Sequence, residues 1–277
     1  MYRLGKSPLA FLLALIWSSG GQDLGAAEES SGKVSYFAAA RLGEVRDKAE
    51  SVRQVPANQP DGWSISQVNP LDLVSEFKPL QVKRGVVLRA YQFQEGGNGN
   101  GVVWALPDAA DFPAPDRCVK GRFVPTLQME VPRPPAAFAS VMAQITGDGT
   151  PWSYLAASIL GRELTEFGAL WHGSKWSTHR IVDTNPLQAL DQEPADDPDP
   201  MFAVRGPLRQ WRWGQDRPRE WRPSVRMGDD EVVVVFYTFS GWKQQRIFRH
   251  TDRFTTGSYD FKSDCTEIAQ GPGGFLF

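Results

Sequence analysis

The chain has 277 residues, a formal charge of −2 from 30 basic and 32 acidic side chains, and a hydrophobic fraction of 41%. A near-neutral balance excludes general nucleic-acid binding, which needs a strong basic excess. The apolar fraction excludes global disorder and leaves enough material for a core.

The first predicted element is an export signal. Arg3 and Lys6 precede the apolar run PLAFLLALIW at 8–17, and a small-residue stretch ends in Gly25-Ala26-Ala27. Ten apolar residues are about half of the roughly 20 needed to span a bilayer. Small residues also stand where a signal peptidase reads. The reading is a signal peptide over 1–27 and a single mature domain over 28–277, periplasmic or secreted. Its alternative is an uncleaved anchor or a buried N-terminal helix. Removing Arg3, Lys6 and Asp23 takes the formal charge to −3. No other segment approaches 18 consecutive apolar residues, so the mature chain is expected to be soluble, with no transmembrane segment.

Residues 34–54 read as an amphipathic helix. Residues 55–80 hold four prolines and read as a connecting segment. Strands are expected at 85–93 and 101–107, and the run EGGNGNG between them predicts a hairpin turn. That run lacks the spacing of a phosphate or dinucleotide loop. A strand is expected near 123–129 and a short helix over 135–145. Cys118 and Cys265 are the two cysteines of the chain. In an oxidising compartment they are expected to form one disulfide, with two free thiols as the alternative.

Thr150-Pro151 reads as an N-cap followed by proline at the first helical position. The helix is expected to run from 151 to 171, with Gly173 as its stop. At about 100° per residue, Leu155, Ala156, Ile159, Leu160, Phe167 and Leu170 cluster around Trp152. Glu163 and Glu166 project from the same face, near +20° and −40° on the same rough count. The opposite face carries the small residues Ala157, Ser158, Gly161, Thr165 and Gly168, so the helix is expected to be covered on both sides.

Residues 186–200 are acidic and Pro-rich and read as an exposed loop or linker. Candidate strands follow at 201–205, 221–227, 231–239, 244–250 and 258–261, joined by short turns. The expected fold class is α+β, with helices mainly in the N-terminal half and an antiparallel β-meander in the C-terminal part.

Two carboxylates on an apolar face need partners, because a buried charge is expensive alone. One reading is a catalytic set of Glu163, Glu166, His172 and His179, with Asp183 nearby. Nitrogen and oxygen donors of this kind suit a divalent metal or general acid–base work, although no cofactor is required and no standard zinc spacing is present. The other reading is structural, with each Glu met by an Arg, a Trp indole or backbone amides. A second candidate is the segment 205–226, with seven Arg and three Trp against two acids. Its Arg209, Trp211, Arg212 and Trp213 suit an anionic envelope polymer, a lipid headgroup or a small ligand. Alternatively, the Arg side chains face solvent over packed Trp. The functional expectation is an exported ligand-binding or envelope-associated protein. The alternative is an exported hydrolase-like enzyme, metal-dependent or not, built on the Glu pair.

Overall fold

The computed structural model describes residues 32–53, 61–124, 129–170, 175–191 and 202–275. The segment 1–27 expected to be a signal peptide, His172, Gly173 and most of the acidic stretch lie outside the described residues.

The sequence EVVVVFYTFS forms β12 (Glu231–Ser240), and it does so because β-branched and aromatic side chains suit a pleated surface. It is flanked by β11 (Ser224–Met227) and β13 (Gln244–Thr255), and β13 pairs with β14 (Phe261–Gly273). The edges are β1 (Lys33–Tyr36), on β11, and β10 (Arg212–Trp213), on β14. A seventh strand, β9 (Arg180–Val182), also pairs with β12. β11 takes Val232–Val235 and β9 takes Tyr237–Phe239, so the two short strands share one edge of β12. The expected C-terminal antiparallel meander is present as β11–β14.

Both faces of this sheet are apolar, which explains why β12 lacks a hydrophobic–polar alternation. Val232, Val234 and Phe236 join the main core with Tyr154, Leu155 and Ile159. Tyr237 and Phe239 join a second core with Trp211, Trp221, Ile247 and Ile268. A three-stranded sheet, β2 (Gly62–Ile65), β4 (Val86–Glu95) and β5 (Asn98–Pro107), and two strand pairs complete the β structure: β3 (Leu80–Val82) with β8 (Ile145–Gly147), and β6 (Val119–Val124) with β7 (Met129–Arg133).

The α+β expectation with a helix-rich N-terminal half is corrected: the protein is mostly β. Three α-helices occur among the described residues, α1 (Ala39–Arg53), α2 (Pro70–Glu76) and α3 (Pro151–Thr165), and strands interleave with them from β1 onward. Two local causes can be named. Val34–Tyr36 leaves the start of the expected first helix (34–54) and, with Lys33, pairs with Ser224–Met227, a partner nearly 200 positions away in sequence. Residues 135–145 form only a 3-10 turn at Met142–Gln144, because Phe138 N–H is drawn to Ala105 O at 2.9 Å.

α3 starts as expected. Thr150 Oγ1 accepts from Ser153 N–H and Pro151 opens the helix. It ends at Thr165, earlier than expected, and Gly168 adopts φ +67° just beyond, a conformation that costs glycine little. Its opposite face is covered as expected: a carbon added at Gly161 would lie 2.8 Å from the Phe261 ring.

The expected disulfide is also corrected. Cys118 and Cys265 are both free. Cys118 Sγ lies 3.0 Å from Tyr91 Oη, beside β4, whereas Cys265 stands on β14 opposite His250. Cys265 belongs to the large sheet, whereas Cys118 caps the short 3-10 turn Pro115–Arg117 just before β6.

Candidate active site and ligand cleft

Two buried polar clusters meet beneath a cleft. The first is built on the predicted Glu pair. Glu163 is 1% exposed and Glu166 5%. Glu163 Oε1 accepts from Arg46 Nε at 3.0 Å and from the Trp176 indole N–H at 2.8 Å, and Arg53 lies 3.1 Å from its Oε2. Glu166 accepts the backbone N–H groups of Lys175, Trp176 and Ser177, the last at 3.0 Å, and Arg53 lies 3.8 Å away. Burial nevertheless pushes the Glu166 carboxyl up from its ordinary value, against these donors. Arg46 also donates to the carbonyls of His179 and Trp176, and its guanidinium lies over the Trp176 ring at 4.3 Å. A buried pair broken on one side typically costs about 3–5 kcal/mol, so this knot holds α1, α3 and the 175–179 turn together.

The second cluster lies between α3 and the sheet. Arg162 makes a two-fold pair with Asp252, at 2.6 and 3.0 Å, and donates to Ser263 Oγ at 2.9 Å. Its NH2 also reaches His250 Nδ1 at 3.5 Å. His250 Nε2 lies 2.8 Å from Thr238 Oγ1, and the same hydroxyl lies 2.8 Å from His179 Nδ1. Thr238 is fully buried. Burial first, then the charges of Arg46 and Arg162, holds His179 down to about 4. Burial, then Arg162, His179 and Arg46, holds His250 down to about 2. Both rings are therefore neutral at pH 7.

The cleft has a volume of about 1130 Å³ and runs between α1 on one side and β9 with residues 202–206 on the other. Glu163 and His179 both line it, so the structure brings these two predicted residues together. It does not bring Asp183 into the Glu cluster: Asp183 Oδ2 accepts Ala39 N–H at 3.0 Å, at the start of α1. Among the described residues no group of three His, Cys, Asp or Glu side chains is arranged to hold a metal.

The Arg/Trp segment takes the packed arrangement. Trp211 is buried in the second core and Trp213 is half-buried, while Arg209 and Arg212 are exposed. Arg217 lies over the Trp213 ring at 5.0 Å. No helix among the described residues is long and apolar enough to cross a membrane.

Sequence reasoning missed Arg46, Arg53, Arg162, Asp252, Thr238 and His250. One signal was available: Arg46 and Arg53 are seven positions apart, two helical turns, and so share a face of α1. Alternation along β13 likewise places His250 and Asp252 on one face. The chain matches no family model, no curated protein and no solved structure.

Proposed function

We propose that this is an exported small-ligand-binding protein that takes an amphipathic molecule of no net charge in the cleft beside α1. The observation that carries this reading is Gly43. It lies inside a helix, where glycine costs up to about 1 kcal/mol relative to alanine. It lines the cleft, and a carbon added there would meet no atom within 4 Å. Among the described residues no packing requires the missing side chain; an occupant of the cleft would.

The lining supports the ligand class. Ile181, Val182, Leu190, Phe202 and Val204 supply apolar surface on one wall, and α1 supplies polar groups on the other. Arg46, Arg53, Arg180 and Arg205 are matched in number by Asp47, Glu50, Glu163 and Asp183, so among the described residues the lining carries no net charge and favours no polyanion. The volume suits a drug-sized or larger molecule, since such pockets typically run about 300–1,000 Å³. The hydrolase reading draws less support. Glu163 and Glu166 are engaged by Arg46, Arg53, Trp176 and backbone amides, which leaves little of either for a reacting group.

A Gly43→Leu variant tests the reading. Leucine there gains helix propensity, up to about 1 kcal/mol, and projects into the cleft at the wall formed by α1. A Tm equal to wild type or about 2–4 °C higher is expected. Binding of an uncharged naphthyl ketone dye, read by its emission shift, should weaken at least about tenfold, a loss of about 1.4 kcal/mol. Unchanged dye binding in the folded variant would overturn the cleft as the site.

A further inference from the structure

We propose that His179 reads the ligand, donating its Nε2–H to an uncharged acceptor oxygen (a carbonyl, ester or hydroxyl) on the ligand's polar end. This rests on the ligand-binding reading above and adds the group that would give it specificity.

Arg162 has donors and no acceptor. Its NH2 gives its two protons to Asp252 and Ser263; standing 3.5 Å from His250 Nδ1, the cation can accept nothing from that nitrogen and favours the form that turns a bare lone pair towards it. A neutral imidazole carries one proton, so His250 holds it on Nε2 and donates to Thr238 Oγ1, 2.8 Å away. The Thr238 hydroxyl has one proton of its own, and its remaining close partner is His179 Nδ1, also at 2.8 Å. Thr238 donates there. His179 Nδ1 is then an acceptor, and the ring's single proton stands on Nε2. Asp252 anchors the whole chain by fixing Arg162 with two hydrogen bonds.

The ring is fixed in orientation as well as in tautomer. It lies 4.9 Å from the Phe248 ring and 5.8 Å from the Trp176 ring, centroid to centroid. His179 is half-buried and lines the cleft, and among the described residues no acceptor takes its Nε2–H. A locked neutral donor differs from an imidazolium in what it selects. Charging this ring would place a third cation beside Arg46 and Arg162, so the site has no means of becoming an anion trap by protonation. A polar, uncharged oxygen is the matching partner, in keeping with the zero net charge of the described lining residues. Thr238 is a positioning residue in this scheme: it touches His179 and leaves the ligand to it.

Two dyes separate this proposal from the cleft reading. The naphthyl ketone offers an acceptor oxygen, and N-phenyl-1-naphthylamine offers a similar apolar body without one. In wild-type protein, long-range proton–nitrogen correlation of the imidazoles at pH 7 should show both His179 and His250 as Nε2–H tautomers. Thr238→Val should turn His179 into a tautomer mixture and weaken the ketone about fivefold to tenfold, the range of one hydrogen bond. The amine should change less than about twofold, within the effect of a lost contact. Thr238→Ser, which keeps the hydroxyl, should restore both the tautomer and ketone affinity. His179→Phe gives the same comparison should Thr238→Val fail to fold. An Nδ1–H tautomer in the wild type would overturn the proposal, as would ketone binding indifferent to both variants. That second result leaves the cleft reading standing if Gly43→Leu still blocks both dyes. Dyes unaffected by Gly43→Leu would instead remove the cleft reading, and this proposal with it.

Discussion

At the scale of single residues, Glu163 and Glu166 were legible in the sequence as a problem and not as a solution. Helical spacing places both on an apolar face, and burial then demands partners. Nothing local names Arg46 and Arg53, which arrive from more than a hundred positions away. His250 was harder still, since its role depends on strand register and on a hydroxyl from β12. The two histidines carry a pH consequence. Their folded values, about 4 and about 2, lie below the ordinary imidazole value of 6.5. The neutral form is favoured by folding, so their contribution is present above pH 6.5 and is lost as the pH falls towards those values. Arg46, Arg162 and the opposing ring all disfavour charging. Glu166, shifted upward, acts in the opposite sense: its contribution grows on acidification and is lost as pH rises through its folded value. Stability measured by urea unfolding should fall between pH 6.5 and 4 by an amount on the order of a few kcal/mol. The fall should be shallower in His250→Asn. An equal slope in both proteins would remove His250 as a cause.

At the scale of elements, two helical glycines invite one comparison. Gly43 in α1 faces open space, and Gly161 in α3 faces the Phe261 ring at 2.8 Å. The same change to leucine gains helix propensity at both sites, yet it should have opposite signs. Gly161→Leu overpacks the contact between α3 and β14, with an expected cost of about 1–3 kcal/mol. A shifted urea midpoint at unchanged slope is the measurement, and wild-type stability in Gly161→Leu would contradict the close packing. α3 was the most legible element because its information is local: a cap, a proline at the start and a 3.6-residue period. β1 and β14 were less so. β1 is defined by its partner β11, and the β14 segment Lys262–Asp264 is exposed and lacks an apolar signal.

At the scale of the whole molecule, the sheet order β1-β11-β12-β13-β14-β10 joins residues near 33 to residues near 227. Such long-range pairing is invisible to periodicity, and it is why a mostly β protein read as helix-rich in its first half. The meander was legible because its turns are short and its strands consecutive. The proposed export step belongs at this scale too. Cleavage after Ala27 would leave Lys33–Tyr36 whole and free to close the edge of the sheet. Mass spectrometry of protein produced in a secreting host should find a chain beginning at Glu28. A chain retaining Met1 would count against cleavage, and with it against the exported setting of the ligand-binding reading.

The free thiols Cys118 and Cys265 give the fold a kind of independence from its surroundings. With no covalent tie between these two cysteines, the native state rests on packing, hydrogen bonding and ion pairing. The electron balance of the compartment therefore carries no instruction for this chain. A chain of this kind needs no oxidising helper to mature, and a reducing medium leaves its architecture intact.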